Sequence, residues 1–327
     1  MSLHYKTITS MDQERDYSKE QTYHIEMVYR TILVTGANGQ LGNELRQISS
    51  NYPAFHFLFT DVEELDITNL EAIRDLCQSQ AVGYILNCAA YTAVDRAEEV
   101  EATAHLINAT AVEHLAHVAA ERNIPLIHIS TDYVFDGQGS APLTEEHPTA
   151  PQSAYGRTKL AGEEAILKLC PSKGVVIRTA WLYSAYGNNF VKTMLRLGRE
   201  RNTLNVVADQ IGTPTYAADL ALAMMRVVEY AAAGVNKPGV YHYSNDGACS
   251  WYDFTCEIHR QAGITTCAVT PIPTTDYPTP AARPAYSVLS KAKIIREFDL
   301  SVPSWQSSLA RCLATLLKEL PNSAAHS

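Results

Sequence analysis

Short apolar runs alternate with longer amphipathic segments through the first half of the chain. Runs rich in β-branched and aromatic residues predict strands at 31–35, 55–60, 84–88, 125–129 and 175–179. Helical periodicity predicts helices up to residue 48, over 69–79, over about 97–123 and from residue 153. Strands that alternate with helices pair in parallel through right-handed crossovers. We therefore predict an α/β fold with a Rossmann-type, doubly wound parallel sheet.

The second half of the chain predicts shorter and more widely spaced elements. Strands are expected near 204–207, 239–243 and 267–272, and helices near 188–200, 217–232, 251–262 and 304–319. We predict a dinucleotide-binding core over 30–180 and, over 181–320, mainly a smaller α/β substrate-binding lobe with some elements returning to the core. Residues 1–29 are predicted to be an N-terminal arm, either disordered or foreign to the native chain, and residues 321–327 a tail.

Composition narrows the classes of partner. With 46% hydrophobic and 19% charged residues, the chain can bury a large core. A net charge of −9 argues against nucleic acid or an anionic membrane as a partner, although a local basic pocket would still accept a phosphorylated small molecule. The seven cysteines form no C-x-x-C pair, which is typical of reduced thiols in a cytoplasmic protein. No apolar run approaches the ~18 residues of a membrane-spanning helix.

A glycine-rich loop follows the first predicted strand and opens a helix. It reads Gly36-Ala37-Asn38-Gly39-Gln40-Leu41-Gly42, with spacing G-x-x-G-x-x-G. In this context glycines let backbone N–H groups approach a pyrophosphate at a helix N-terminus. Glycines also make plain turns, so the loop alone leaves both interpretations open.

Acidic residues follow the second predicted strand. Asp61 ends that strand, 19 residues after Gly42, where a carboxylate binds both hydroxyls of an adenosine ribose. The same charge would repel a 2′-phosphate and so favours NAD(H). Asp66 and Ile67 follow in a loop that is placed to flank the adenine.

The later strand ends carry candidate chemistry. Ligands of parallel sheets bind beyond the carboxyl ends of the strands, which places Ala90 and Thr131 at one sheet edge. Tyr155 and Lys159 follow at helical spacing, one turn apart, so the ammonium is expected to stabilise the phenolate and lower the pKa of Tyr155. A hydroxyl, an acid and a cation together suit carbonyl reduction, whereas the Tyr-x-x-x-Lys pair alone also occurs by chance. Arg283, in a proline-rich loop, is either a ligand of a substrate phosphate or an exposed loop arginine.

These motifs resemble the extended short-chain dehydrogenase/reductases and, within them, the dTDP-4-dehydrorhamnose reductase family. The resemblance covers roughly residues 30–320. It is carried by the glycine loop and by the following segments: Asn87-Cys88-Ala89-Ala90, Tyr91 to Glu98, Ser130 to Gly137, Tyr155 to Glu163, Gly187 to Phe190, Asp209 to Thr215 and Arg283-Pro284.

The resemblance implies reduction of the C4 ketone of dTDP-4-dehydro-L-rhamnose by NADH or NADPH, the last step of dTDP-L-rhamnose synthesis. It implies that Tyr155 donates the proton, that Lys159 holds the nicotinamide ribose and tunes Tyr155, and that Thr131 binds the substrate oxygen. Asp132 and Trp181 match substrate contacts, and Tyr133 matches a residue that adjusts the acidity of the tyrosine. The implied cofactor contacts are Gly39, Gln40, Leu41, Asp61, Asp66, Ile67, Ala90, Tyr91, Thr92 and Ile129, with Tyr155 and Lys159.

Further properties implied by the resemblance stay open. Some members bind Mg²⁺ at acidic residues between subunits, which makes Glu44 a candidate metal ligand and a homodimer a candidate assembly. Tyr91 stands where a histidine is often found. Two other functions are considered: a non-catalytic NADP-binding subunit resembling the regulatory subunit of methionine adenosyltransferase, and a sugar-nucleotide epimerase or dehydratase.

Overall fold

A six-stranded parallel sheet forms the centre of the protein. The computed structural model describes residues 30–318, and the N-terminal arm predicted over 1–29 and the predicted tail therefore lie outside the described residues. The sheet consists of β1 (Arg30–Thr35), β2 (Phe55–Thr60), β3 (Val82–Asn87), β4 (Leu126–Thr131), β5 (Gly174–Thr179) and β10 (Gly239–His242). Its strand order is β10-β5-β4-β3-β1-β2, and all its strand pairs are parallel. The predicted fold class is confirmed.

Shorter strands pair in twos outside the central sheet. They are β6 (Leu182–Tyr183) with β9 (Thr215–Tyr216), β7 (Thr203–Val207) with β12 (Ala268–Ile272), and β8 (Ile211–Gly212) with β11 (Cys249–Ser250). The helices are α1 (Gln40–Ile48), α2 (Leu70–Ser79), α3 (Val94–Ala97), α4 (Glu101–His105), α5 (Ala111–Glu121), α6 (Ala154–Leu169), α7 (Phe190–Glu200), α8 (Ala217–Ala232), α9 (Trp251–Gln261), α10 (Ala292–Phe298) and α11 (Trp305–Lys318). The strands expected near 204–207 and 267–272 correspond to β7 and β12. The two-residue strands β6, β8, β9 and β11 and the helix α10 were not predicted, because such short elements carry too little periodicity.

Helices cover both faces of the sheet. Alternate side chains of a strand point to opposite faces, so Ile32 and Val34 pack with α1, α8 and α10, whereas Leu33 packs with α2 and α5. Since α8, β10 and α10 come from the second half of the chain, the sheet and its layers draw on residues far beyond 180. The assignment of the other late elements to substrate binding stays a prediction.

The long helix predicted over about 97–123 is interrupted. Helix α3 ends at Ala97, and a continuous helix begins only at Glu101 and reaches Glu121 through a π-helical turn over Leu106–Thr110. A π-turn inserts one residue and so redirects side chains around it. Here the turn carries the fully buried side chain of Asn108.

Two further features concern the cysteines and the length of the helices. All seven cysteines are unpaired. Within residues 30–318, no helix has the length and apolar character needed to cross a membrane.

Candidate active site

A cleft of about 1020 Å³ runs along the carboxyl ends of the central strands. Strand β1 lies between β2 and β3. The connection after β1 leads to β2 on one side, and the connection after β3 leads to β4 on the other side. Open α/β sheets bind ligands at such a switch point. The lining includes nearly all of the predicted site residues: Gly36, Gly39, Gln40, Leu41, Asp61, Asp66, Ile67, Ala90, Thr92, Ile129, Thr131, Asp132, Tyr133, Tyr155, Lys159 and Trp181.

The glycines of the first loop have different roles. Gly36 has φ +63°, and a Cβ there would lie 2.6 Å from Ala89 N; a Cβ at Gly42 would lie 2.5 Å from Ala37 Cα. These two positions need glycine for packing. Gly39 lines the cleft at the N-terminus of α1, where no side chain caps the helix. The uncapped N–H groups and the room left by Gly39 fit a dinucleotide pyrophosphate.

Asp61 is held at the adjacent wall of the cleft. One carboxylate oxygen accepts the backbone N–H of Asn38 at 2.9 Å, and the other accepts that of Val62 at 2.9 Å. The Asp66 carboxylate accepts the N–H and hydroxyl of Thr68, which lowers its pKa. The second strand therefore presents an oriented carboxylate beside the glycine loop, where an adenosine ribose would lie.

Besides Gly42, whose packing is described above, Tyr91 is the predicted cofactor residue that does not line the cleft. Its side chain packs instead against the small cluster of Ala97, Ala104 and Ala154. Its backbone is held by Asn108, which accepts Tyr91 N–H at 2.8 Å and donates to Tyr91 O at 3.1 Å. A side-chain contact between Tyr91 and a cofactor is therefore not supported by this geometry, in contrast to the neighbouring Ala90 and Thr92.

Asn108 is a site-supporting residue that the sequence analysis missed. Besides Tyr91, its amide group donates to Thr158 Oγ1 at 3.1 Å, so it ties the loop after β3 to α6. The sequence could not indicate this role, because an asparagine inside an amphipathic helix normally faces solvent or its own helix. The π-turn directs the amide of Asn108 at two other segments.

The Thr-Tyr-Lys set converges where β4 meets α6. Thr131 ends β4, and Tyr155 follows the helix cap Ser153, whose hydroxyl accepts Gly156 N–H at 3.1 Å. A Cβ at Gly156 would lie 2.2 Å from Tyr133 O, so glycine lets α6 sit directly on the turn that follows Thr131. The rings of Tyr133 and Tyr155 meet edge to face, with centroids 5.6 Å apart.

The electrostatics of Tyr155 differ from the expectation. Burial raises its pKa to about 12, opposed by the hydroxyl of Thr131. The predicted lowering by Lys159 is wrong for this structure. The Lys159 amino group is turned elsewhere: Nζ donates to Ile129 O at 2.7 Å and lies 3.2 Å from His128 Nε2. Tyr155 is therefore protonated at neutral pH, which is the state that a proton donor requires.

Two predicted substrate residues form the wall beyond Tyr155. Asp132 is 2% exposed; it accepts the Thr131 hydroxyl at 3.0 Å, and its Oδ2 has no partner at hydrogen-bond distance among the described residues. Burial raises the pKa of Asp132 to about 6. Trp181, with φ +49°, stacks on Trp251 at a centroid distance of 3.5 Å. An acceptor and an aromatic plane suit the hydroxyls and apolar faces of a sugar.

Arg283 lies beside the cleft rather than in its wall. It lines a small adjoining pocket together with Tyr133. Its guanidinium forms an ion pair with Asp95 at 2.7 Å and donates to Ala281 O. A phosphate would have to compete with Asp95, so the phosphate-binding role of Arg283 stays a prediction.

The surroundings of Glu44 within residues 30–318 do not support a metal site there. The prediction of a candidate Mg²⁺ ligand is not supported, because Glu44 is 5% exposed and accepts the Ser184 hydroxyl at 2.6 Å. Burial raises its pKa. The nearby Asp219 is bound by the Arg311 guanidinium at 2.6 Å, so a cation is already in place. In residues 30–318, no group of three or more His, Cys, Asp or Glu side chains could hold a metal ion.

A doubly wound sheet with a glycine loop at its switch point, and with the Thr-Tyr-Lys set across the same cleft, defines a nicotinamide-dependent oxidoreductase of the short-chain dehydrogenase/reductase superfamily. Sequence comparison narrows this class. Residues 30–318 match the family described as RmlD substrate binding domain. The chain belongs to the dTDP-4-dehydrorhamnose reductase family.

Individual relatives support the same placement. The dTDP-4-dehydrorhamnose reductase of Aggregatibacter actinomycetemcomitans is 41% identical over 284 residues, covering 85% of this chain and 96% of that protein. The crystal structure of a dTDP-4-dehydrorhamnose reductase from Clostridium acetobutylicum is 43% identical, with a TM-score of 0.82 over 88% of this chain and 99% of that one. That of Bacillus anthracis, in complex with NADP, is 39% identical, with a TM-score of 0.82 and the same coverage.

Proposed function

We propose that the protein reduces the C4 ketone of dTDP-4-dehydro-L-rhamnose to dTDP-L-rhamnose with NADH or NADPH. The observation that carries this proposal is the buried, protonated Tyr155, which stands beside Thr131 in the wall of a cleft that also contains the glycine loop. Relatives that bear the name of this reductase match nearly the whole described chain. The NADP in the Bacillus anthracis protein supports a nicotinamide cofactor here.

The described residues supply binding, orientation and a proton. A reduced nicotinamide, when bound, supplies the hydride to C4 of the sugar. Tyr155 gives its phenolic proton to the C4 oxygen, and Thr131, beside that phenol in the cleft wall, holds the same oxygen. Lys159, anchored on Ile129 O, orients the nicotinamide ribose. Asp132 accepts a sugar hydroxyl through its buried carboxylate, and Trp181 stacks against the sugar or the base.

The nucleotide end of the cleft supports a preference for NADH. The Asp61 carboxylate is held by two backbone N–H groups, so it cannot easily turn away from a ribose. A 2′-phosphate at this position would face a fixed negative charge. We propose that the glycine loop with Gln40 and Leu41 binds the pyrophosphate, that Asp66 and Ile67 flank the adenine, and that Ala90, Thr92 and Ile129 border the nicotinamide half.

Assembly and compartment complete the proposal. The seven unpaired cysteines are consistent with a reducing compartment such as the cytoplasm. A homodimer remains a prediction, which sedimentation velocity of the purified protein would test.

The decisive assay supplies dTDP-4-dehydrorhamnose and follows NADH or NADPH consumption at 340 nm. Consumption with one or both cofactors is the expected result, and folded protein that consumes neither would refute the proposal. A non-catalytic binding subunit would bind NADP(H) without this turnover. An epimerase or dehydratase would be purified with bound NAD⁺ and would need no added reductant.

A further inference from the structure

A buried chain of polar side chains runs beneath the floor of the cleft and ends at Lys159. Asn87, at the end of β3, accepts the Thr35 hydroxyl at 2.7 Å and Ala89 N–H at 3.2 Å through its Oδ1. The Asn87 amide nitrogen lies 2.9 Å from Nδ1 of His128, and His128 Nε2 lies 3.2 Å from Nζ of Lys159. Asn87 and His128 are fully buried, and Lys159 is 1% exposed.

The hydrogen bonds determine the tautomer of His128. The Ala89 N–H on Asn87 Oδ1 excludes a flipped amide, because the flip would place an NH₂ group against that N–H. The Asn87 NH₂ group therefore donates to His128 Nδ1, so Nδ1 carries no proton. Burial and the nearby Lys159 keep the pKa of His128 well below its usual value, and the ring is neutral. A neutral ring with a bare Nδ1 carries its proton on Nε2 and directs it at Lys159.

A donor aimed at Nζ has a chemical consequence. An ammonium group has three hydrogens and no lone pair, so it cannot accept the Nε2–H, whereas a neutral amine can. The other partner of Nζ, Ile129 O, accepts a hydrogen from either form. The chain therefore favours the neutral amine of Lys159. Burial acts in the same direction and lowers the pKa of Lys159 to about 8.

We propose that His128, oriented by Asn87, is a positioning residue that holds Nζ of Lys159 and controls its protonation for the reduction. This inference rests on the proposed function, since it assigns a purpose to a residue that supports the catalytic lysine. The chain begins at Thr35 and Ala89, which line the cleft beside the glycine loop. It thereby links the nucleotide end of the cleft to Lys159 through side chains of three adjacent strands.

Other ionisable groups around Lys159 do not provide this control. Glu163, one turn further along α6, raises the pKa of Lys159, but its carboxylate is bound by Arg178 at 2.7 Å and is 1% exposed. Tyr155, one turn before, is neutral because burial raises its pKa to about 12. Among the described residues, His128 is thus the ionisable group outside α6 that directs a ring nitrogen at Nζ of Lys159.

The first test observes the tautomer directly and needs no turnover. Two-bond ¹H–¹⁵N correlation spectra of the wild-type histidine rings identify His128 by the signal that disappears in His128→Gln. We expect a neutral ring protonated on Nε2 from about pH 6 to about pH 9. A ring protonated on Nδ1, or an imidazolium in that range, overturns the proposal. This result stands even if the protein fails to reduce the dTDP-sugar, so the two proposals fail separately.

The second test reverses the direction of the chain. In Asn87→Asp a carboxylate oxygen replaces the NH₂ group and attracts a proton to Nδ1 of His128, which leaves Nε2 to accept from an ammonium. In His128→Gln the amide can turn its oxygen to Nζ. In both variants we expect the transition near pH 8 in cofactor affinity and in kcat to move upward by about one pH unit.

The matched control is His242→Gln. His242 is also fully buried and neutral in the same sheet, since burial lowers its pKa to about 3, but its ring nitrogens face Leu143 O and Arg178. A merely structural role for His128 predicts the same behaviour in all three variants: lower thermal stability and an unmoved pH profile. An unmoved profile in folded Asn87→Asp and His128→Gln would overturn the proposal, and the wild-type spectrum decides if neither variant folds.

Discussion

Gly156→Ala tests how closely catalysis depends on the contact between α6 and the turn after β4. The added Cβ would lie 2.2 Å from Tyr133 O and 3.0 Å from Pro151 Cβ. An ordinary contact needs about 3.4 Å, so the backbones must separate by about 1 Å. Tyr155 precedes the substituted residue and Tyr133 follows Thr131 by two, so this separation opens the distance between the phenol and the Thr131 hydroxyl.

The expected magnitude follows from that displacement. A misplacement of about 1 Å in a catalytic group costs on the order of 100-fold in rate, so we expect kcat to fall about 100-fold. Cofactor affinity should change much less, because the glycine loop and Asp61 lie on other elements. Alanine gains about 1 kcal/mol over glycine in helix propensity, which offsets part of the strain and keeps the protein folded.

The assay combines kcat for dTDP-4-dehydrorhamnose reduction, NADH affinity from nicotinamide fluorescence, and the thermal unfolding midpoint. Gly83→Ala is the control, because its Cβ would meet only Thr31 O, at 3.9 Å. It should retain the wild-type rate. A folded Gly156→Ala protein with wild-type kcat would show that the close approach of α6 does not position Tyr155, and would refute the reasoning.

Three further outcomes follow from the site. Tyr155→Phe should abolish reduction and leave cofactor affinity nearly intact in a fluorescence titration; a retained wild-type rate would contradict the proton-donor role. The pKa of Asp132 is raised to about 6, so its carboxylate is charged above and neutral below that pH. We therefore expect kcat/KM to fall about tenfold per pH unit below pH 6. This acidic fall should be absent in Asp132→Asn, and its persistence in that variant would show that another group causes it. Glu163→Gln removes one partner of the buried pair with Arg178 and should lower the free energy of unfolding by about 3–5 kcal/mol in urea titrations, against less than about 1 kcal/mol for the exposed Glu200→Gln.

Local sequence patterns were sufficient for much of the fold and for the core of the site. Strand and helix periods predicted the alternating elements, and the parallel sheet followed because parallel strands need helical crossovers. The glycine loop, Asp61 and the Tyr155–Lys159 pair were found because their chemistry depends on spacings of a few residues. Strand ends of one sheet must share an edge, which brought Thr131 to the same place.

Long-range contacts and burial decided the remainder. Arg283 is paired with Asp95, and Glu44 with Ser184, across more than a hundred residues, so no local pattern could assign their partners. In the sequence, Asn108 resembles an ordinary helix residue and His128 an ordinary strand residue. The π-turn directs Asn108 at Thr158, and the parallel sheet directs His128 at Lys159.

The protonation states belong to the tertiary structure as well. The sequence alone determined that a tyrosine and a lysine would stand one turn apart, and it suggested that the ammonium would acidify the phenol. Burial reverses that expectation, because removing both groups from water raises the pKa of Tyr155 and lowers that of Lys159. The local sequence determined that Tyr155 and Lys159 lie side by side, whereas their protonation states depend on how completely the surrounding fold excludes water.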